Sequence, residues 1–114
     1  LAQSSIIESL AKRGPCIIVG RCADFVLRQN PDCLNIFICA DMKDRIERIM
    51  DRYHLTEKEA ATAIKRTDRR RKNYYETYTD QNWGSPDSHQ LLINVSKLGL
   101  ERSLDLIEYL YKQP

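Results

Sequence analysis

Three short apolar runs, CIIV at 16–19, LNIFICA at 34–40 and LLINV at 91–95, are separated by segments long enough to form helices. No other feature of the chain limits its fold so tightly. Runs that are β-branched and apolar without alternation suit strands covered on both faces, as in a parallel sheet. Parallel neighbours need crossovers, usually helical and right-handed. The intervening residues supply them. Residues 1–13 predict a helix with Ile6, Ile7 and Leu10 on one face, stopped by Gly14-Pro15. Residues 23–29 predict a short helix, followed by a turn at Asn30-Pro31-Asp32. Asp41 is placed to cap a helix carrying Met42, Ile46, Ile49, Met50 and Tyr53 at helical spacing. Thr56 with Glu59 forms a capping-box pattern for a helix reaching about residue 78. Its apolar content fades after Ile64, so its later turns are expected to leave the body. NWGSPDSH at 82–89 reads as a loop, and Leu100, Leu104, Ile107, Leu110 and Tyr111 mark a last helix. The expected fold class is α/β in one domain. Ligands in such sheets sit beyond the carboxyl ends of the strands, where Gly20-Arg21, Asp41 and residues 94–96 fall.

Bulk properties exclude little. An apolar content of 42% and a charged content of 30% fit an ordinary globule, and a net charge of +2 argues against nucleic-acid binding by charge alone. No apolar run approaches the roughly 20 residues that span a bilayer, so no membrane partner is expected. No secretion leader is visible, and the expected compartment is cytoplasmic. The four cysteines, Cys16, Cys22, Cys33 and Cys39, make no CxxC pair. No metal site is expected from them; buried, reduced thiols are.

Two features carry chemistry. Arg21 follows Gly20 at a strand end. Its fork can take two oxygens of one phosphate or carboxylate, and Gly20 lets a ligand come close. Asp24 is near enough to orient that guanidinium or to accept from a sugar or base; a structural Arg–Asp pair closing a turn is the equal alternative. The second feature is IKRTDRRRKNYY at 64–75, where Lys65, Arg66, Arg69, Arg70, Arg71 and Lys72 surround the single acid Asp68. Lys65, Arg69 and Lys72 share one helical stripe, and Asp68, Arg71 and Tyr75 another. Cations this dense repel unless anions are near. Polyphosphate or RNA would relieve the repulsion, and a solvated charged helix is the plain alternative. Tyr74, Tyr75, Tyr78 and Trp83 are read as anchors for the end of that helix rather than as base-stacking groups. His54 and His89 have no metal-ligand spacing and are read as loop or helix-end residues. Ser96 lacks a G-x-S-x-G setting and is not read as a nucleophile.

Taken together, these segments resemble the C-terminal part of a cytidylate-kinase-like protein, a group within the P-loop nucleoside monophosphate kinases. GPCIIVGRCADFVL is similar to the family's third-strand segment, where a Gly-Arg meets the acceptor phosphate. LNIFICADMKDRIERIM resembles the next strand and helix, and QLLINVSKLGLERSLDLI the last strand and closing helix. IKRTDRRRKNYYETYTDQNWG resembles the mobile lid, here about residues 56–83 of a domain portion covering residues 1–114. The resemblance implies a three-layer parallel sheet of this kinase type, incomplete because the first strand and phosphate loop are absent. It implies ATP-dependent phosphoryl transfer to a nucleoside monophosphate, typically CMP or dCMP, with ATP and Mg2+ as cofactors. Arg21 would hold the acceptor phosphate and Asp24 would orient the acceptor. Arg69, Arg71 and Lys72 would neutralise the migrating group, and Asp68 would orient one of them. Cytidylate kinases carry a further Asp directly after the Gly-Arg; Cys22 in that place favours the kinase-like branch.

The sequence contains no G-x-x-x-x-G-K-[ST]. The expectation is therefore that an N-terminal portion lies upstream of Leu1, and that the chain alone is inactive. Strand edges left without partners would favour a homo-oligomer. An RNA- or polyanion-binding module using the basic helix, and a degenerate kinase kept for regulation, are the competing functions.

Overall fold

The computed structural model describes residues 2–20 and 22–113. The elements run α1 (Ala2–Arg13), α2 (Ala23–Val26), β1 (Ile36–Cys39), α3 (Met42–Tyr53), α4 (Glu57–Thr79), β2 (Leu91–Asn94), α5 (Val95–Leu98) and α6 (Leu100–Lys112). β1 and β2 pair in parallel, from Ile36 opposite Leu91 to Cys39 opposite Asn94. The crossover between them is α3 and α4, as parallel pairing of consecutive strands requires.

Local signals account for the long crossover. In α4 the Thr56 hydroxyl accepts from the Glu59 N–H, and the Glu59 carboxylate accepts from the Thr56 N–H, so two orphan donors are satisfied reciprocally. Those bonds hold the Glu59 carboxyl below its usual range. His54 closes α3 in the left-handed region (φ 56°) and Asp80 closes α4 likewise (φ 57°), each donating its N–H back into the last turn. Asp41 occupies the N-cap of α3, but its carboxylate caps nothing; it accepts from Asn94 Nδ2 instead.

One expected strand does not form. Residues 16–19 pair with nothing, and the described sheet has two strands, so a three-layer arrangement is not seen among the described residues. Ile17 is 67% exposed and Val19 87% exposed. A four-residue apolar run becomes a strand only when a neighbour takes its backbone hydrogen bonds, and none does here. Ile38 on β1 is likewise 50% exposed, while Ile93 on β2 is fully enclosed. The Cα radius of gyration is 15.8 Å, against about 13 Å for a compact domain of this length. The cysteine expectation is corrected on the same ground. All four thiols are free, but Cys16 is exposed and the others are only part-buried, because the apolar run holding Cys16 has no covering layer.

α4 also departs from expectation. Its later turns do not leave the body. Ala60, Ile64, Tyr75 and Thr79 are buried along the full 23-residue helix. The fading apolar pattern misleads because burial at the far end falls on Tyr75 and Thr79, whose polar atoms find partners. Thr79 Oγ1 donates to the Tyr75 carbonyl at 2.7 Å.

Candidate functional site

The carboxyl rim of the sheet is built from side chains that tie the two strand ends together. Ser96 Oγ accepts from the Asp41 N–H at 2.8 Å, and Asn94 Oδ1 accepts from the N–H groups of Ser96 and Lys97. Ser96 is thus a structural acceptor. Asp41 and residues 94–96 lie at the rim, as expected.

The turn before α2 brings Gly20 (φ +76°) and Cys22 (φ 53°) into the left-handed region, and the Ala23 N–H donates to the Gly20 carbonyl. Arg21, the expected phosphate ligand, lies outside the described residues. Asp24, on α2, meets a partner from far along the chain: the Tyr75 hydroxyl donates to its Oδ2 at 2.5 Å and also lies 3.0 Å from Gln81 Oε1. Burial and the adjacent carboxylate push the Tyr75 hydroxyl well above its ordinary range, so it stays a donor. Burial and Asp24 also raise the Cys22 thiol, which is therefore not an activated nucleophile. Tyr75 packs beside His89, and His89 beside Phe37, whose ring also receives Trp83 edge-on at 5.0 Å. Tyr75 and Trp83 are anchors, as expected; Tyr74 and Tyr78 touch each other on the exposed side.

Asp68 does not orient a cation of its own helix. It takes both ends of the Arg45 guanidinium, Nη1 at 2.8 Å and Nη2 at 2.6 Å. That hydrogen bonding and charge raise Arg45 further. Arg45 stands in the first turns of α3, just past the end of β1, so the pair fastens the middle of α4 near the sheet's rim. Sequence reading passed over Arg45 as one of several charges on α3. A signal was present: Arg45 falls three residues after Met42 and four before Ile49, beside the apolar stripe rather than opposite it.

α4 is therefore held at two points, Asp68 to Arg45 and Tyr75 to Asp24, and Arg69, Arg70, Arg71 and Lys72 lie between them. Lys65, Arg66, Arg69, Arg70, Arg71 and Lys72 are all exposed. Neither ion pair found among the described residues involves any of them. By helical phase, at about 100° per residue, Arg71 falls on the body-facing stripe between Ile64 and Tyr75. Both of those neighbours are buried, whereas Arg71 is exposed. Lys72 flanks that stripe, whereas Arg69 falls on the other side of the helix.

Among the described residues no group of three or more His, Cys, Asp or Glu could hold a metal ion, and no helix is long and apolar enough to cross a membrane.

A search of curated proteins finds no match. Among solved structures, the chain is similar to the crystal structure of an uncharacterized protein from Eubacterium ventriosum, at 29% identity and a TM-score of 0.87 over 97% of this chain. This chain spans 64% of that structure's length. A family model described as the cytidylate kinase-like family matches residues 1–97. With that match over most of its length, the chain belongs to the cytidylate kinase-like family.

Proposed function

We propose that the chain is the acceptor-and-lid portion of a nucleotide kinase that transfers the γ-phosphoryl group of ATP to a nucleoside monophosphate, with CMP or dCMP as the leading acceptors. One observation carries this reading. Arg69 to Lys72 of α4 are bracketed by the ties of Asp68 to Arg45, at the rim of β1, and of Tyr75 to Asp24 on α2, the helix that follows Gly20-Arg21. Phosphoryl transfer asks for positioning and charge neutralisation rather than covalent chemistry, and this arrangement offers both. The lid is residues 56–83. Arg21 takes the acceptor phosphate. Asp24 gives one oxygen to Tyr75 and keeps Oδ1 for the acceptor. Arg71 and Lys72 meet the migrating group, with Arg69 in a supporting place at the lid's flank. The full three-layer sheet of the kinase fold, a cytoplasmic setting and any association through strand edges belong to this same reading.

ATP and Mg2+ are implied by the family. The described residues hold no cluster of metal ligands, and the sequence has no phosphate-loop motif. No step through that group is assigned to this chain.

The test is phosphoryl transfer by the full-length gene product, measured on CMP, dCMP, UMP, AMP and GMP. Turnover on at least one is expected, and none on all five would overturn the reading. A polyanion-binding module is the second reading, favoured by six exposed lid cations without ionic partners among the described residues. It predicts RNA affinity that falls steeply with salt and is lost when Arg69, Arg70 and Arg71 become Gln.

A further inference from the structure

Asp68 has four basic neighbours, Lys65 three residues before it on α4 among them. Arg71 and Lys72 follow it by three and four residues on the same helix, the spacing at which an acid pairs with a following base. Arg45 reaches it from α3 and wins, with two parallel hydrogen bonds at 2.8 and 2.6 Å. The bidentate fork accounts for its advantage over Lys72, which can make only one such charge-assisted bond. The pair is about one-third exposed on each side, so the contest is fought at a partly desolvated site. Its result is visible on α4, where Arg71 and Lys72 are exposed and have no carboxylate partner among the described residues.

We propose that Arg45 is a positioning residue that withholds Asp68 from Arg71 and Lys72, keeping both cations uncommitted and ready for a phosphate chain. Its relevance to phosphoryl transfer rests on the kinase reading above; the competition itself does not. Without Arg45, Asp68 turns to Arg71 or Lys72 and draws it along the helix surface. The carboxylate then becomes an internal competitor of the anionic ligand. Removing Asp68 as well releases the cation again. A bridge that merely propped α4 against α3 would behave differently, since deleting both partners would leave the helix as loose as deleting one.

The experiment titrates inorganic tripolyphosphate into the full-length protein and compares wild type with Arg45→Met, Asp68→Asn and the double variant. Thermal melting of each runs in parallel. Arg45→Met is expected to weaken binding about tenfold, the scale of one lost charge-assisted contact, and Arg45→Met/Asp68→Asn to return to within about twofold of wild type. Asp68→Asn alone is expected to bind as tightly as wild type or more so. It serves as the decisive variant should Arg45→Met fail to fold. Unchanged binding in Arg45→Met, no recovery in the double variant, weakened binding in Asp68→Asn, or no tripolyphosphate binding by wild type would each overturn the proposal. If the binding order holds while no monophosphate is turned over, the kinase reading fails and the role of Arg45 stands.

Discussion

The Tyr75 hydroxyl and the Asp24 carboxylate, 51 residues apart in sequence, share a 2.5 Å hydrogen bond that joins the far end of α4 to the helix beside Gly20. Tyr75 is buried and its partner half-buried, so the bond lies where water cannot easily replace it. Tyr75→Phe keeps the ring packing and removes the donor. Losing a hydrogen bond to a charged acceptor at such a site costs about 1–3 kcal/mol. A denaturant midpoint unchanged from wild type would show that the bond contributes nothing net.

The loop after α4 is fitted to Phe37. Gly84 has φ +72°, and a Cβ built there would lie 3.0 Å from the Phe37 ring. Gly84→Ala therefore meets both left-handed strain and a crowded ring, and should destabilise by about 1–3 kcal/mol. Adding Phe37→Leu to Gly84→Ala makes room for the methyl group, so the paired change should cost less than the sum of the two, as unfolding curves of the three variants would reveal.

Stability should fall in mild acid through His89. Burial holds its ring below the ordinary 6.5, with Asp24 opposing. Nε2 accepts from the Gly84 N–H, and a proton there would abolish that bond. The ring packs against Tyr75 and Phe37, and the nearby Asp24 carboxylate favours the protonated form without reversing the effect of burial. The unfolded chain binds the proton more readily than the fold does. The contribution is thus complete above about pH 6.5 and is lost as pH falls from there through the lower folded value. Unfolding midpoints at about pH 7.5 and 5.5 should differ more for wild type than for His89→Gln; equal differences would discount His89.

On the proposed kinase reading, the helical phases of the α4 cations predict different roles. Arg71→Gln should lower kcat by about a hundredfold or more, the loss typical of a group that stabilises charge in the transition state. Arg69→Gln, on the other side of α4, should cost less than about tenfold. A larger loss at Arg69 than at Arg71 in steady-state kinetics would reverse the assignment.

Arg21→Ala should raise KM for the monophosphate by about tenfold or more while leaving the melting temperature near wild type, as expected for a phosphate ligand rather than a structural pair. Loss of the fold instead of loss of acceptor affinity would favour the Arg–Asp turn.

The amphipathic stripe of α3, the Thr56–Glu59 capping box and the β-branched runs of β1 and β2 are all visible in the sequence. So is the basic stretch at 65–72. Each is written within a turn or two of chain, where propensity, capping and periodicity act on neighbours. The remaining features depend on groups brought together from far apart. Residues 16–19 read as a strand, yet a strand is a relation between two backbones, and none of the described residues pairs with this one. Asp68 stands beside cations at helical spacing, yet its partner is Arg45, 23 residues earlier, because a bidentate fork from another helix outcompetes neighbours on its own. Tyr75 looks like the tail of a projecting helix, and Asp24 pulls it into the body. Local order was legible because its causes are local; the tethers that hold α4 became visible only once two distant stretches of chain shared the same few ångströms.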